Sequence, residues 1–300
     1  MSGDTNLGGV YAPITTPFDS QGGLDLDSLN ANIERYAQTG LAGFLVLGSN
    51  GEHRSLNFRE KQRVLDCVIA RKAPRQTVMA GSIFESTRET IEFALLAEDA
   101  GADFIALLPP SYFKSAMNDA ALAAYFGGVA SAVKKPCLLY RAPQFCGGLD
   151  ISVNLIQELA RHPNIAGVKD SAPAGIEKII FSAPEHFTVL AGSANTFFSA
   201  MINGAAGGVL SLADYLPEYA VRLFQLLRQG DLERAAPLNR RILACNMGVS
   251  GAAGVAGVKA AMDHLGYRGG LPRLPLAGAD LSVRESIGRM LDGLIRDFPL

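Results

Sequence analysis

No two cysteines in this 300-residue chain stand close enough to form a Cys-x-x-Cys pair. The four present, Cys67, Cys137, Cys146 and Cys245, are widely spaced, which reads as a reduced, cytoplasmic chain. The four histidines (His53, His162, His186 and His264) are as scattered, with no His-x-x-x-His. A transition-metal mechanism has little support, and no metal is expected. Carboxylates could hold a hard cation, yet no segment marks a place for one. An excess of one charge is missing too. The formal net charge is −2, without basic runs or a basic stripe, which argues against nucleic acid as the main partner. Hydrophobic residues make up 48%, but no stretch approaches the ~20 unbroken apolar residues of a membrane span. The start, Met1 to Gly9, has no basic region followed by an apolar one, so no export signal is expected.

What the sequence does have is alternation. Short apolar runs near 10–16, 43–48, 77–82, 104–109, 137–141, 165–170, 188–193 and 207–212 read as strands. Helical spacing fills 25–39, 55–72, 86–100, 118–134, 152–161, 174–183, 195–203 and 217–229. Within 89–99, Ile91, Leu95 and Glu98 mark successive turns. Gly101 is placed to close that helix, and Gly40 the first one. Eight such units imply a parallel sheet, and eight is the number that closes a (β/α)8 TIM barrel, an α/β fold of ~250 residues. Residues 1–230 would form the barrel. Residues 231–300 read as a C-terminal helical extension with helices at 231–248, 252–265 and 280–297, packed on the barrel.

In such barrels chemistry sits where the strands end. Lys169 ends the run Ile165-Ala-Gly-Val-Lys-Asp170. A strand covered on both faces holds a lysine partly out of water, which disfavours the ammonium form; a neutral amine is the nucleophile that attacks a ketone. Asp170 points to the opposite face and is poorly placed to cancel that effect. The other seven lysines, among them Lys61 and Lys259, read as polar or helical. A lysine snorkelling at a strand end explains the pattern equally well.

Other strand ends carry Thr15, Thr16, Ser82, Pro109 to Tyr112, Tyr140-Arg141, Gly192-Ser193 and Ser211. Gly48-Ser-Asn-Gly-Glu52 offers backbone N–H groups and the side chains of Ser49 and Asn50, which suits a carboxylate or phosphate; a plain turn is the commoner meaning. Tyr140, one strand before Lys169, could relay a proton or be an ordinary core aromatic. Tyr112 could support such a relay. Gly204-Ala-Ala-Gly-Gly208 suits either a phosphate or close packing of strand on helix.

Gly48 to Glu52, Tyr140-x-x-Pro143, Gly167-Val-Lys-Asp-Ser171, Leu190-Ala-Gly-Ser193 and Gly204 to Leu212 together resemble the signatures of the dihydrodipicolinate synthase/N-acetylneuraminate lyase family of Schiff-base aldolases and lyases. The resemblance runs along essentially the whole chain. It implies that Lys169 forms a covalent imine with pyruvate or a related 2-keto acid, with no separate cofactor. Tyr140 would relay the proton, supported by Ser49 and by Tyr112, the latter entering a neighbouring subunit's site. Ser49 and Asn50 would bind the keto-acid carboxylate, with Gly192 and Val209 also in the substrate site. A homotetramer built as a dimer of dimers is implied as well.

Several positions depart from the synthases of that family. Phe145 stands where they carry an arginine for the second substrate's carboxylate, and Arg141 could supply a cation from another direction. Ser49-Asn50 replaces two threonines, and Asp214 replaces a common asparagine. Gly48 to Glu52, Glu85-Ser-Thr87 and Gly257-Val-Lys-Ala-Ala-Met-Asp263 are closer to the 4-hydroxy-2-oxoglutarate aldolase branch. The expected reaction is aldol cleavage or formation of a 4-hydroxy-2-oxo acid from pyruvate and an aldehyde. Condensation of pyruvate with aspartate semialdehyde, dehydration of a 2-keto-3-deoxy acid, and non-catalytic keto-acid binding stay open as alternatives.

Overall fold

The computed structural model describes residues 7–300. Met1 to Asn6, which make up most of the segment read for an export signal, lie outside the described residues. Eight strands, β1 (Gly9–Ala12), β2 (Gly43–Val46), β3 (Thr77–Gly81), β4 (Phe104–Leu107), β5 (Cys137–Arg141), β6 (Ile165–Asp170), β7 (Thr188–Ala191) and β8 (Gly207–Val209), pair in parallel, and β8 closes onto β1. Between them run α1 (Leu26–Tyr36), α2 (Phe58–Arg71), α3 (Thr87–Ala100), α4 (Asp119–Ala132), α5 (Val153–Leu159), α6 (Ile176–Ser182) and α7 (Ala194–Ile202); α8 (Pro217–Arg228) follows β8. This is the closed (β/α)8 barrel that the alternation predicts. Most strands end earlier than the apolar runs do, because the chain leaves the sheet while still apolar and builds the barrel mouth.

The strands are apolar on both faces because both are covered. Tyr11, Leu45, Met79, Leu138 and Leu190 fill the barrel interior, and a larger core lies between strands and helices. Side-chain caps set many helix starts: Asp25, Ser86, Asn118 and Ser152 each accept a backbone N–H three residues on. Gly101 closes α3 with a left-handed φ of 104°. Gly40 does not do this for α1, which ends at Tyr36 with Ala37 as its cap. A Cβ at Gly40 would lie 2.8 Å from Val221 Cγ1, so that glycine is needed for close packing on α8. The Gly204–Gly208 stretch resolves the same way. A Cβ at Gly207 would come 1.9 Å from the carbonyl oxygen of Gly9, where the barrel closes.

One irregularity matters for chemistry. Cys137 pairs with Ile165, but a register shift follows and Leu138 pairs with Gly167. Without that shift Tyr140 would face Val168; with it, Tyr140 lies opposite Lys169 and Arg141 opposite Asp170. Because side chains alternate, a one-residue slip would have sent one of the pair to the wrong face.

After the barrel come α9 (Leu232–Asn246), a π-helical turn (Met247–Gly251), α10 (Ala252–His264) and α11 (Leu281–Asp297). The run from Leu232 to His264 is long and apolar enough to cross a membrane by length and composition. Here Leu238, Ile242, Val249, Val258 and Ala261 are buried in the same core as the barrel's outer layer. That burial explains its apolar character.

Candidate active site

The register of β5 and β6 brings two side chains together at the barrel mouth. Lys169 is only 5% exposed, and its Nζ lies 3.7 Å from the centre of the Tyr140 ring. The Tyr140 hydroxyl is 3.2 Å from Ser49 Oγ. Ser49, Asn50, Tyr140, Lys169 and Gly192 line one cavity of about 290 Å³. An amine, a phenol and a serine in such a pocket can attack a carbonyl and pass a proton along.

The loop that carries Ser49 and Asn50 is held under strain. Leu47 and Glu52 flank it with left-handed φ angles of 63° and 51°, costly for residues other than glycine. Three contacts keep it there. Thr16 Oγ1 donates to the Gly51 carbonyl at 2.8 Å. The backbone N–H of Arg273 donates to Glu52 Oε2 at 2.9 Å. Lys259 Nζ sits 2.7 Å from Glu52 Oε1 and also donates to the carbonyls of Thr16 and Leu271. Lys259, which sequence alone groups with the polar and helical lysines, is fully buried. Its neighbours Val258, Ala260 and Ala261 were the available signal.

Asn50 turns part of its amide away from the cavity: Nδ2 donates to Asp214 Oδ2 at 2.8 Å. Burial pushes the Asp214 carboxyl up to about 8, against the Asn50 hydrogen bond and the charge of Lys169. The folded protein therefore binds this proton up to about pH 8, while the unfolded chain releases it near the ordinary carboxylate value. The stability it contributes is complete below that ordinary value and is lost as pH rises through about 8. Asp214→Asn should remove this dependence and exceed the parent by roughly 2–3 kcal/mol at pH 8. Denaturant midpoints from pH 5 to 9 check it; parallel curves for the two proteins would contradict it.

Arg141 is not where a substrate cation is needed. Its side chain alternates to the outer face of β5, where Nη2 meets Asp150 Oδ2 at 2.6 Å and Nη1 meets Asp170 Oδ2 at 3.2 Å. Nη1 also donates to the Ala174 carbonyl, and Nε to Asp150 Oδ1. The expectation that Arg141 binds substrate is corrected: two carboxylates occupy it, and it does not line the cavity. Asp170, raised to about 6 by burial and pulled back by the Ala172 N–H and Arg141, needs that partner. Arg141→Ala is expected to cost about 3 kcal/mol in urea unfolding while leaving pyruvate affinity within about twofold. A change in affinity without lost stability would restore the substrate role.

Two other candidates sit apart from the cavity. Val209 is fully buried in the barrel interior and forms no part of the cavity wall, because its side chain packs inward below the mouth. Tyr112 is 79% exposed, its ring 4.9 Å from that of Phe113, and its backbone N–H donates to Glu85. Within one chain it does not reach Tyr140. Sequence reasoning missed Gln144, Asn195, Asn246 and Ser250, all of which line the cavity. The last two come from the C-terminal extension, whose helical spacing gave no sign that it reaches the mouth. Among the described residues, no group of three His, Cys, Asp or Glu is placed to hold a metal.

The model of the dihydrodipicolinate synthetase family matches residues 6–293. The chain belongs to this family. A protein of Emericella nidulans named as a probable mitochondrial 4-hydroxy-2-oxoglutarate aldolase is 33% identical over 277 residues, 89% of this chain and 88% of its own length. A 4-hydroxy-tetrahydrodipicolinate synthase of Methanoculleus marisnigri is 32% identical, covering 94% of this chain and 98% of its own. The solved structure of YagE, a prophage protein of this family from E. coli K12 in complex with pyruvate, superposes with a TM-score of 0.90 at 28% identity, covering 96% and 98% of the two chains. As a member of the dihydrodipicolinate synthetase family, the chain is an enzyme of the lyase class.

Proposed function

We propose that the enzyme makes and breaks carbon–carbon bonds through an imine between Lys169 and pyruvate, cleaving 4-hydroxy-2-oxo acids to pyruvate and an aldehyde. The observation that carries this reading is the Lys169–Tyr140–Ser49 arrangement in one cavity. Lys169 Nζ would add to the C2 ketone and water would leave. The C3–C4 bond then breaks with its electron pair drawn into the cationic imine, while the C4 hydroxyl loses its proton and becomes the aldehyde carbonyl. Tyr140, backed by Ser49, is placed to carry that proton to C3. Water hydrolyses the imine and releases pyruvate. Backbone N–H groups of the Ser49–Asn50 loop would hold the keto-acid carboxylate.

Phe145, which lines the same cavity, disfavours condensation with a second, carboxylated substrate, since it brings no charge. The exposed aromatics Tyr112 and Phe113 support a subunit contact near the mouth, in keeping with a tetramer; sedimentation would measure it. The free thiols, with Cys137 pushed up to about 12 by burial, support a reducing, cytoplasmic setting. Borohydride reduction in the presence of pyruvate tests the chemistry: a covalent adduct should map to Lys169 by peptide mass. No adduct, under conditions that trap a known relative, would overturn the proposal.

A further inference from the structure

The cavity at Lys169 opens into a second chamber of about 340 Å³, and the two share Ser49, Asn50, Phe145, Ser211 and Ser250. Lys169 is the one cation lining the first chamber. In the second, Arg54 is held by Glu85 Oε1 at 3.0 Å and Ser111 Oγ at 3.2 Å. Burial pushes His53 down to about 3, so its ring is uncharged at neutral pH. A carboxylate at the far end of a substrate would lose water here and meet no uncommitted cation among the described residues.

The wall is built for neutral hydrogen-bonding groups. Asn195 comes from the start of α7, Asn246 from the end of α9 and Ser250 from the π-helical turn. Asn246 Nδ2 donates to Asn195 Oδ1 at 3.0 Å. Whichever way the two amides are turned, the pair keeps a donor on one residue and an acceptor on the other for a ligand. Asn246 is nine-tenths buried, and Ser250 Oγ lies beside the Tyr215 hydroxyl without completing a hydrogen bond to it. Buried polar atoms left in this state gain from a ligand that both donates and accepts. A hydroxyl group does both; a carboxylate only accepts. π-Helical turns recur at functional sites, and this one brings Ser250 to the cavity.

Resting on the imine reading above, we infer that the substrate beyond C4 is uncharged and carries several hydroxyls: a 2-keto-3-deoxy sugar acid, recognised through Asn195, Asn246 and Ser250. Cleavage of its C3–C4 bond leaves the electron pair on C3, which takes up a proton to give pyruvate. The C4 carbon leaves as a polyhydroxylated aldehyde, with no oxidant or reductant required.

The test compares pyruvate release by the full chain from three compounds. These are 2-keto-3-deoxygluconate, the dicarboxylic 4-hydroxy-2-oxoglutarate, and 4-hydroxy-2-oxopentanoate, which has neither hydroxyl nor charge beyond C4. The sugar acid should be preferred over the dicarboxylate by about tenfold or more in kcat/KM. Asn246→Leu, Ser250→Ala and the milder, solvent-facing Asn195→Ala should each cut that value about tenfold for the sugar acid. For the pentanoate they should leave it within about twofold. Preference for the dicarboxylate, equal losses on both substrates by well-folded variants, or cleavage of neither acid while pyruvate still traps on Lys169, would each overturn the inference. Failure of pyruvate to trap in the parent protein would instead overturn the imine proposal beneath it.

Discussion

Replacing Lys169 by alanine should abolish the borohydride-trapped adduct with pyruvate and lower lyase turnover on the order of 10⁴-fold or more, the scale seen when a covalent nucleophile is removed. Tyr140→Phe should behave differently. It keeps the ring that Lys169 Nζ packs on and removes the hydroxyl beside Ser49. The adduct should still form, while turnover falls by about 10²–10⁴, as for loss of a general acid–base group. Trapping and steady-state rates on one set of purified proteins separate the steps. A lyase rate untouched by Lys169→Ala would assign the activity to another group. Loss of trapping in Tyr140→Phe would mean that the phenol is needed before the imine forms.

The largest effect on stability should come from Lys259→Met. Lys259 and Glu52 form an ion pair with both side chains about 1% exposed. Removing one partner leaves a carboxylate buried without its counter-charge, at a cost of about 3–5 kcal/mol. The same change releases one of the contacts that hold Glu52 in its left-handed conformation, so the keto-acid KM should rise. Adding Glu52→Gln should recover part of the lost stability, because the uncompensated charge is then gone. Urea unfolding of the two single variants and the double one measures this. A single variant less than about 1 kcal/mol below the parent would show that the pair is not holding the loop.

The fold was legible because it rests on local regularities. Eight apolar runs spaced by helical patterns leave few architectures, and the barrel rule then puts Lys169 and Tyr140 at the mouth. The arrangement that joins them needed structure: the register shift after Cys137 is invisible in composition, yet it places the two residues opposite each other. Arg141 shows the limit of reading neighbours. Adjacency to Tyr140 suggested the substrate site, whereas alternation along the strand sends its guanidinium outward to Asp150 and Asp170. Lys259, Asn246 and Ser250 act across long sequence separations, which no local pattern encodes.

The π-helical turn at Met247–Gly251 has a consequence for how this enzyme could diversify. Such a turn holds one residue more than the regular helix around it. Deleting a single residue there would restore α-helical spacing and rotate α10 by about 100° relative to α9, since a helix turns once per 3.6 residues. Ser250 would swing away from Asn246 while every barrel strand, and Lys169 with them, stayed in place. A one-codon length change in the tail is thus a route to a different aldehyde partner that leaves the carbon–carbon chemistry intact.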